Sequence, residues 1–244
     1  MGIDLPKGKV RRLIVSGEPA GSIPASKRLI EEQWGATCGD TAGMTELGTI
    51  MMFECDRQPG GAHIIEDHFI EEVIDPETGR EVAYGERGER VVTSFGRGAI
   101  PVFRYRTRDL VVKVPHSRCS CGRTFDLFEG GILGRVDDML LVRGTNVYPR
   151  AIESIVREHA VVDEFQIYLW TAEGIRDEIA VRFEVRAGQE QGWEQAAKAL
   201  HDDLVRNHEG LGILVERVAA GSLPRFELKA RRVKDERIVK GGGA

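Results

Sequence analysis

The beginning of the chain alternates short apolar runs with turn residues, as α/β proteins do. Residues 13–15 (LIV) fit a buried strand, apolar positions recur at helical spacing over residues 26–34, and Gly35 ends that pattern. The small, polar stretch CGDTAGMTELG at 38–48 is predicted to be a loop, and residues 49–53 are predicted to be the next strand. Because loops that follow strands often bind ligands in α/β proteins, residues 38–48 are a candidate ligand site.

Residues 55–114 have the patterning of β-strands. The runs HIIEDHFIEEVID, ERVVTSF and IPVFRYRTRDLVVKV are bounded by Gly, Pro or Asp, and the segment PETGRE between the first two is typical of a turn. We therefore predict a strand-rich subdomain for this part of the chain.

The pattern changes again after Asp138. A strand is predicted at 139–142, and Pro149 stands at the first position of a helix whose apolar residues fall on one face. Residues 179–185 alternate as in a strand with one buried face, which leaves Glu184 on the face that meets water. Further strands are predicted at 165–170 and 213–218, and a second amphipathic helix at 193–205.

These patterns predict a two-domain protein of mixed α/β and α+β class. Residues 1–136 would form the first domain, with a strand-helix unit and a strand-rich subdomain. Residues 137–244 would form a small α+β domain with its own core. At 244 residues, of which 41% are hydrophobic, the chain can bury cores of ordinary size.

Charge and hydropathy exclude several classes of partner. The net charge of -5, without any block of lysine or arginine, argues against nucleic acid and against an anionic membrane surface. No apolar run approaches the roughly 20 residues that span a bilayer, and the start MGIDLPKGKVRR lacks the apolar core of a signal peptide. We therefore expect a cytoplasmic protein, whose four cysteines serve in metal binding or burial instead of disulfides.

Three of the cysteines belong to a candidate metal site. Cys119 and Cys121 are too close in sequence to pair easily with each other, but thiols spaced by two at a strand end point the same way and can share a metal. Cys55 and His63 flank a Pro-Gly-Gly turn that would fold them together. Three thiolates and one imidazole make a closed structural Zn²⁺ site, although the four residues could also be unrelated. Two other histidines are rival nitrogen ligands: His68 and His116.

Five motifs follow one another along the chain. They are AGMTE at 42–46, GERGERVVTS at 85–94, YRTRD at 105–109, GRVDDMLLVRGTNVYPRAIE at 134–153 and ELKARR at 227–232. Together they resemble the ordered motifs of adenylate-forming enzymes, and among these the phenylacetate-coenzyme A ligase family. Five linked motifs in this order are far more specific than any one of them alone.

The resemblance implies a fold, a reaction and a set of cofactors. The chain would be the C-terminal portion of a large AMP-binding domain, followed by a small mobile lid domain. A carboxylic acid would attack the α-phosphate of ATP to give an acyl-adenylate and pyrophosphate, and the thiol of coenzyme A would then take the acyl group. The implied substrate is an aromatic or arylacetic carboxylate such as phenylacetate, and the implied cofactors are ATP/AMP, Mg²⁺ and coenzyme A. Some of these ligases also carry a Cys/His zinc site.

The resemblance also implies roles for individual residues. Asp137 would be the hinge between the domains, and Lys229 would bridge the substrate carboxylate and the α-phosphate in the first step. Asp109 would accept hydrogen bonds from both ribose hydroxyls, and Arg135 would reach the same nucleotide. The other implied positions line the nucleotide, its phosphate and Mg²⁺, or the thiol tunnel: Gly17, Glu18, Pro19, Thr41, Ala42, Gly43, Met44, Thr45, Glu46 and Asn146.

The chain also departs from the pattern of these enzymes. Ala42 stands where an aromatic residue normally flanks the adenine, and both Arg108 and Leu228 stand where glycine is common. The Ser/Thr/Gly-rich phosphate loop that ends in lysine does not occur in the sequence. We therefore expect the C-terminal part of a longer ligase, acting with a complementary N-terminal chain or as a homo-oligomer. The alternative is a non-catalytic relative that binds a nucleotide or a partner through the same surface.

Overall fold

The computed structural model of the protein describes residues 4–17, 19–57, 60–96, 98, 101–226 and 231–237. The chain divides into two units, Met1–Asp137 and Asp138–Ala244. Both units combine helices with β-sheet, which confirms the mixed α/β class predicted from the sequence. In the described part of the chain, no helix combines the length and the apolar character that crossing a membrane would need.

Within the described residues, the first unit contains one α-helix and a nine-stranded sheet. Its elements are β1 (Arg12–Ser16), α1 (Pro24–Trp34), β2 (Thr37–Met44), β3 (Thr49–Phe53), β4 (Ala62–Ile64), β5 (Phe69–Ile74), β6 (Arg87–Ser94), β7 (Tyr105–Val114), β8 (Leu127–Phe128) and β9 (Gly134–Arg135). The spatial order is β1-β2-β3-β4-β8-β7-β6-β5, and β9 pairs with β7. β1 and β2 are parallel, as expected for strands joined by a helix.

The helix predicted in this unit is confirmed, with a start slightly earlier than the apolar pattern indicated. Pro24 occupies the first turn of α1, where its missing N–H is not needed. Gly35 ends the helix in the left-handed conformation, with φ of 59°, and its N–H donates to the carbonyl of Glu31 at 2.8 Å. A glycine at this position is the residue that adopts such a conformation at least cost.

The predicted loop at residues 38–48 is wrong for most of its length. Residues 37–44 form β2, and only residues 45–48 make the turn into β3. β2 pairs with β1 on one side and with β3 on the other, so its backbone groups are satisfied by long-range partners. Its small and polar residues carry no alternating apolar signal, which is why the sequence pattern missed it.

Within the described residues, the second unit contains a β-hairpin, a four-stranded sheet and two α-helices. Its elements are β10 (Leu140–Val142), β11 (Thr145–Val147), α2 (Pro149–Glu158), β12 (Val162–Ala172), β13 (Arg176–Val185), α3 (Trp193–Asn207), β14 (Leu214–Arg217) and β15 (Val233–Glu236). The sheet order is β14-β13-β12-β15. One hydrophobic core joins both helices to the inner face of this sheet, including Ile152, Val156, Phe165, Ile167, Ile179, Val181, Phe183, Leu200 and Leu204.

The face of β13 that the alternating pattern predicted to be solvent-exposed is partly buried. The side chain of Glu184 is only 1% exposed. Its carboxylate accepts hydrogen bonds from the N–H groups of Gly221 at 2.8 Å and Leu223 at 2.6 Å, and it pairs with Arg225 at 2.8 Å. Burial opposes ionisation, but the bonds from Arg225 and from the two N–H groups outweigh it and lower the pKa of Glu184 to about 2. A buried carboxylate therefore anchors the segment that follows β14.

Replacing Glu184 by Gln is expected to destabilise the second unit by about 1–3 kcal/mol, because three donors lose a charged acceptor. Since the folded-state pKa is depressed, the stabilisation is complete above the unfolded-state pKa of about 4.3 and is lost as pH falls towards 2. Urea unfolding followed by circular dichroism at neutral and acidic pH measures both effects. The matched control is Glu216→Gln on β14, a more exposed carboxylate paired with Arg182, and equal losses in the two variants would contradict the prediction.

Candidate nucleotide and metal sites

The YRTRD motif lies on β7 at a bulge. Glu89 pairs with Leu110 and Val91 pairs with Arg106, so three residues of β7 lie opposite the single residue Arg90. The hydroxyl of Thr107 fixes this bulge, since it donates to the carbonyl of Arg90 at 3.1 Å and accepts from the N–H of residue 109 at 3.1 Å. The bulge therefore sets the position of the aspartate that ends the motif.

Arg108, which stands where glycine is common in adenylate-forming enzymes, occupies a glycine-like conformation. Its φ is 67°, in the left-handed region. This backbone geometry costs a residue with a Cβ about 1–2 kcal/mol and costs glycine almost nothing. The bulge thus gives a physical reason for glycine at this position, and Arg108 tolerates the geometry beside the carboxylate of Glu89, 3.9 Å away.

The bulge and β9 bring three predicted site residues together. Asp109 is paired with Arg135 across β7 and β9, and their side chains approach to 3.6 Å. Arg135 also holds Asp137 through Nε and Nη2, each at 2.9 Å, and its Nη1 donates to the carbonyl of Thr107 at 3.4 Å. Asp109 is 6% exposed, whereas the side chains of Arg135 and Asp137 are 42% and 57% exposed. One buried carboxylate therefore lies beside an accessible arginine-aspartate pair.

The two aspartates of this cluster have opposite pKa shifts. Burial raises the pKa of Asp109, and the guanidinium groups of Arg90 and Arg135 oppose the rise. The hydrogen bonds from Arg135 lower the pKa of Asp137. An ionised Asp109 is an acceptor-only group that can take two donors at once, which is what a pair of ribose hydroxyls requires.

The residues predicted to run beside the base follow β1. Gly17 has φ of 87°, which a glycine adopts readily, and Pro19 begins a single turn of 3₁₀-helix. Glu18 lies outside the described residues. Thr41 is on the neighbouring strand β2, where its hydroxyl donates to the carbonyl of Val15 at 3.2 Å.

The remaining residues of the AGMTE motif divide between core and surface. The side chains of Ala42 and Met44 pack against hydrophobic clusters of the sheet. Gly43 is exposed at the end of β2, and Thr45 and Glu46 are exposed in the turn after it. The exposed groups of this motif are therefore the backbone of Gly43, the hydroxyl of Thr45 and the carboxylate of Glu46.

Glu54 fixes the strand that carries this motif. Its buried carboxylate accepts from the N–H of Asp40 at 2.8 Å and of Gly60 at 2.7 Å, and it pairs with Lys27 of α1. One carboxylate thus connects α1, β2 and the turn before β4. Glu54 immediately precedes Cys55 in the sequence.

The four predicted metal ligands converge in the first unit. The ligand atoms of Cys55, His63, Cys119 and Cys121 all lie within 4.8 Å of one another. The Sγ atoms of Cys55 and Cys119 are 3.5 Å apart, and Cys121 Sγ is 3.3 Å from His63 Nε2. Tetrahedral zinc, with bonds of about 2.3 Å to sulfur and 2.0 Å to nitrogen, separates its ligand atoms by about 3.3–3.8 Å. The donor set and the two separations of 3.5 and 3.3 Å suit a tetrahedral zinc site.

His63 is held in the form that a metal ligand needs. It is fully buried on β4, and its Nδ1 lies 2.9 Å from the carbonyl of Phe125, which fits Nδ1–H as donor and leaves Nε2 free towards the thiols. Burial works against ionisation of Cys121, but hydrogen bonds from the backbone and side chain of Arg123, and from neighbouring thiols, lower its pKa to about 6. The rival ligands His68 and His116 are not part of the cluster among the described residues.

The prediction that Cys119 and Cys121 lie at a strand end is wrong. Cys119 follows a turn of 3₁₀-helix and Cys121 lies in a turn, so neither is at a strand end. The loop between β7 and β8 folds back over β4, because β8 pairs with both β4 and β7. This long-range pairing brings the cysteine pair to His63.

Asn146, implied by the resemblance to help build the thiol tunnel, is on strand β11 of the second unit. β10 and β11 pair in antiparallel fashion, with Asn146 opposite Leu141. Arg143 and Gly144 make the turn, both with positive φ, as a two-residue hairpin of type I′ requires. The side chain of Asn146 is exposed.

Lys229, predicted to carry the first chemical step, lies outside the described residues. Both neighbouring segments are anchored by buried carboxylates of the sheet. Before it, Arg225 pairs with Glu184. After it, Arg232 donates to Glu164 at 2.8 Å and also pairs with Glu153 at 3.2 Å.

Sequence reasoning missed two residues that shape these sites. Thr107 holds Asp109 at the bulge, and Arg123 hydrogen-bonds Cys121. Thr107 belongs to the YRTRD motif, but its role depends on a bulge that cannot be predicted from the sequence. An arginine two residues after a cysteine is too common a pattern to be a signal.

Comparison with known proteins agrees with the motifs. Residues 144–237 match the family model of the AMP-binding enzyme C-terminal domain. The chain is 36% identical over 243 residues to the phenylacetate-coenzyme A ligase of Pseudomonas putida, covering 98% of this chain and 54% of that protein. The chain is a relative of the phenylacetate-coenzyme A ligases. The resemblance predicted from the five motifs is thereby confirmed.

A second phenylacetate-coenzyme A ligase and a solved acyl-CoA ligase structure are also similar to the chain. The phenylacetate-coenzyme A ligase of Thermus thermophilus is 35% identical over 231 residues, covering 87% of this chain and 51% of that protein. A solved structure of 2-hydroxyisobutyryl-CoA ligase, in the postadenylation state in complex with R3-HIB-AMP, matches with a TM-score of 0.85 and 32% identity, covering 96% of this chain and 50% of that one. The chain spans about half the length of the curated relatives it matches.

Proposed function

We propose that the chain is part of an acid-thiol ligase that activates an aromatic or arylacetic carboxylate, such as phenylacetate, and transfers it to coenzyme A. ATP is converted to AMP and pyrophosphate by way of an acyl-adenylate. The observation that carries the proposal is the cluster of Asp109, Arg135 and Asp137, assembled by β7 and β9 in a relative of phenylacetate-coenzyme A ligases.

In the first step, the residues of the first unit bind and orient the nucleotide. Asp109 accepts hydrogen bonds from the two ribose hydroxyls, and Arg135 contacts the same nucleotide from β9. Thr45 donates to the α-phosphate and Glu46 helps to hold Mg²⁺, for which a hard carboxylate oxygen is suited. Lys229 neutralises the negative charge that accumulates between the carboxylate and the α-phosphate.

In the second step, the thiol of coenzyme A displaces AMP from the acyl-adenylate. Asp137, the last residue of the first unit, is proposed as the hinge that allows the change between the two steps. Its exposed side chain can accommodate a change in φ and ψ without disturbing either hydrophobic core. The hairpin that carries Asn146 is proposed to contribute to the thiol tunnel.

The Cys/His cluster is proposed to hold a structural zinc ion. Three thiolates and an imidazole leave no open coordination position, so the metal would stabilise the fold and would take no part in the reaction. The cluster connects β4 to the loop between β7 and β8, next to the strand that carries Asp109. Activity is proposed to depend also on the complementary half of the ligase, since the chain spans about half of its relatives.

Radiolabelled ATP-pyrophosphate exchange tests the proposal, with the chain fused behind the N-terminal half of the Pseudomonas putida relative. We expect exchange that requires Mg²⁺ and phenylacetate or benzoate. Asp109→Asn is expected to reduce kcat/KM for ATP by about 10- to 100-fold, because a charged acceptor contributes about 1.5–3 kcal/mol.

Asp67→Asn is the matched control for Asp109→Asn, since it removes an exposed turn carboxylate of the same unit and should leave exchange unchanged. Absence of exchange with every acid in a folded fusion protein would overturn the proposal. If such a protein still bound AMP, the non-catalytic alternative would take its place.

A further inference from the structure

We propose that Arg90, held by Glu71, is a positioning residue that favours the ionised form of Asp109 and holds it in place for the ribose hydroxyls. The inference rests on the proposed nucleotide role of Asp109. Arg90 and Glu71 lie in the interior of the first unit and touch no predicted ligand, so the proposed function assigns neither of them a role in the reaction. Arg90 belongs to the GERGERVVTS motif, which otherwise has no assigned purpose.

The pair is fully buried and its geometry is specific. Arg90 Nε donates to Glu71 Oε2 at 2.8 Å, Arg90 Nη2 pairs with the other oxygen, and both side chains are 0% exposed. The guanidinium also packs over the ring of Phe128, 5.5 Å from its centre. Arg90 Nη1 has no hydrogen-bond partner among the described residues. Arg90 Nη2 also lies 3.6 Å from the sulfur of Met51, so the guanidinium is fixed by Glu71, Met51 and Phe128 while its Nη1 amino group is buried without a partner among the described residues.

A buried ion pair of this kind is poorly explained by stability alone. Removing two charges from water costs several kcal/mol per ion, and replacement of such pairs by apolar residues is often neutral or stabilising. An unpartnered buried N–H adds a further cost of about 1–3 kcal/mol. A pair that is expensive to bury and incompletely bonded is accounted for more readily by an effect on a neighbouring group.

Asp109 is that neighbour. Arg90 lies opposite the bulge, and its carbonyl accepts from Thr107, whose hydroxyl in turn holds the N–H of Asp109. Burial favours the neutral form of Asp109, and Arg90 is the strongest influence that holds its pKa down, ahead of Arg135. A neutral Asp109 would carry a proton on one oxygen, which would then act as a donor, and the hydrogen bonds from the two hydroxyls would lose their charge assistance. The charged groups that act on Asp109 are Arg90 of β6, Arg135 and Asp137 on and after β9, and Glu71 of β5. Arg108 precedes Asp109 on β7, Glu89 of β6 pairs with the residue after it, and Lys113 of β7 donates to the carbonyl of Glu71.

The test measures the pKa of the Asp109 side chain by carbon-detected NMR in the 244-residue chain, and therefore needs neither nucleotide nor activity. In Glu71→Met/Arg90→Met, which removes both charges together, we expect this pKa to rise, because the lost guanidinium acts on Asp109 more strongly than the lost carboxylate of Glu71. Arg90→Lys keeps a positive charge and should keep the pKa closer to that of the wild type. Should the double Met variant not fold, Glu71→Gln/Arg90→Gln removes the same charges with polar side chains.

The matched control is a more exposed ion pair close by, between Glu72, which follows Glu71 on β5, and Arg104, which precedes β7. Glu72 and Arg104 form an ion pair at 3.0 Å, with Arg104 55% exposed, and Glu72→Gln/Arg104→Gln should leave the pKa of Asp109 unchanged. An unchanged pKa in the charge-free Glu71/Arg90 variant, or an equal rise in the control, would overturn the inference.

Calorimetric titration with AMP separates this inference from the proposed function. The affinity should increase as Asp109 ionises, with a midpoint at higher pH in Glu71→Met/Arg90→Met than in the wild type. Asp109→Asn should bind weakly at every pH. If the wild-type chain did not bind AMP, the nucleotide role would fail, while the NMR comparison would still decide whether Arg90 controls Asp109.

Discussion

Lys229→Ala is expected to slow acyl-adenylate formation about 10²–10³-fold, by analogy with loss of one preorganised charge-stabilising donor. In this step a carboxylate approaches a phosphate, and negative charge accumulates where the lysine ammonium is proposed to bridge them. The effect should fall on kcat, because the charge is most concentrated in the transition state. ATP-pyrophosphate exchange in the fused ligase measures it.

Two comparisons distinguish this role from a general loss of structure. Lys234→Ala, on β15, removes a lysine whose ion pair with Glu236 is about half exposed, and it should leave exchange unchanged. Transfer from synthetic phenylacetyl-adenylate to coenzyme A omits the first step, so Lys229→Ala should slow it far less. Exchange by Lys229→Ala at the wild-type rate would remove the lysine from the mechanism.

Cys121→Ser is expected to abolish stoichiometric zinc binding and to destabilise the first unit by several kcal/mol. A closed site of three thiolates and one imidazole contributes its binding free energy to folding, and structural zinc sites in small domains contribute about 10–16 kcal/mol. A smaller loss is expected here, since the sheet keeps its hydrophobic clusters when the metal is lost. Elemental analysis and thermal unfolding measure the two effects.

The fourth cysteine is the matched control for the zinc prediction. Cys38 is buried on β2 and lies outside the cluster of ligand atoms, so Cys38→Ser should retain zinc. Protein purified without chelators that contained no zinc would contradict the proposal. Destabilisation of Cys38→Ser and Cys121→Ser by equal amounts would indicate that only burial, and not the metal, had been lost.

Much of the candidate site could be predicted from the types of residues and the order of the motifs along the chain. The aspartate of YRTRD and the arginine and aspartate of GRVDD were each assigned from their motifs, and the structure brings Asp109, Arg135 and Asp137 into contact. The metal ligands were chosen from spacing and chemistry, with three histidines in competition. Only the pairing of β8 with both β4 and β7 distinguishes His63 from its rivals.

The errors have a common physical origin in long-range pairing. β2 carries no periodic signal and becomes a strand because β1 and β3 lie on either side of it. β15, a charged stretch without a strand pattern, becomes one by pairing in parallel with β12. Glu184 was predicted from the alternating pattern to face solvent. It is buried because a later turn supplies two N–H groups and an arginine that bind its carboxylate.

The sequence by itself determined the mixed α/β class, the order of the motifs, the relation to the phenylacetate-coenzyme A ligases, and the residue types available at each site. These properties depend on local periodicity and on chemical identity, both of which are written along the chain. The tertiary structure alone decided the bulge that places Asp109, the histidine that joins the thiols, and the burial of Arg90 with Glu71. Those outcomes depend on which distant strands pair, because a charge or a backbone group is satisfied by a partner that lies far away in sequence.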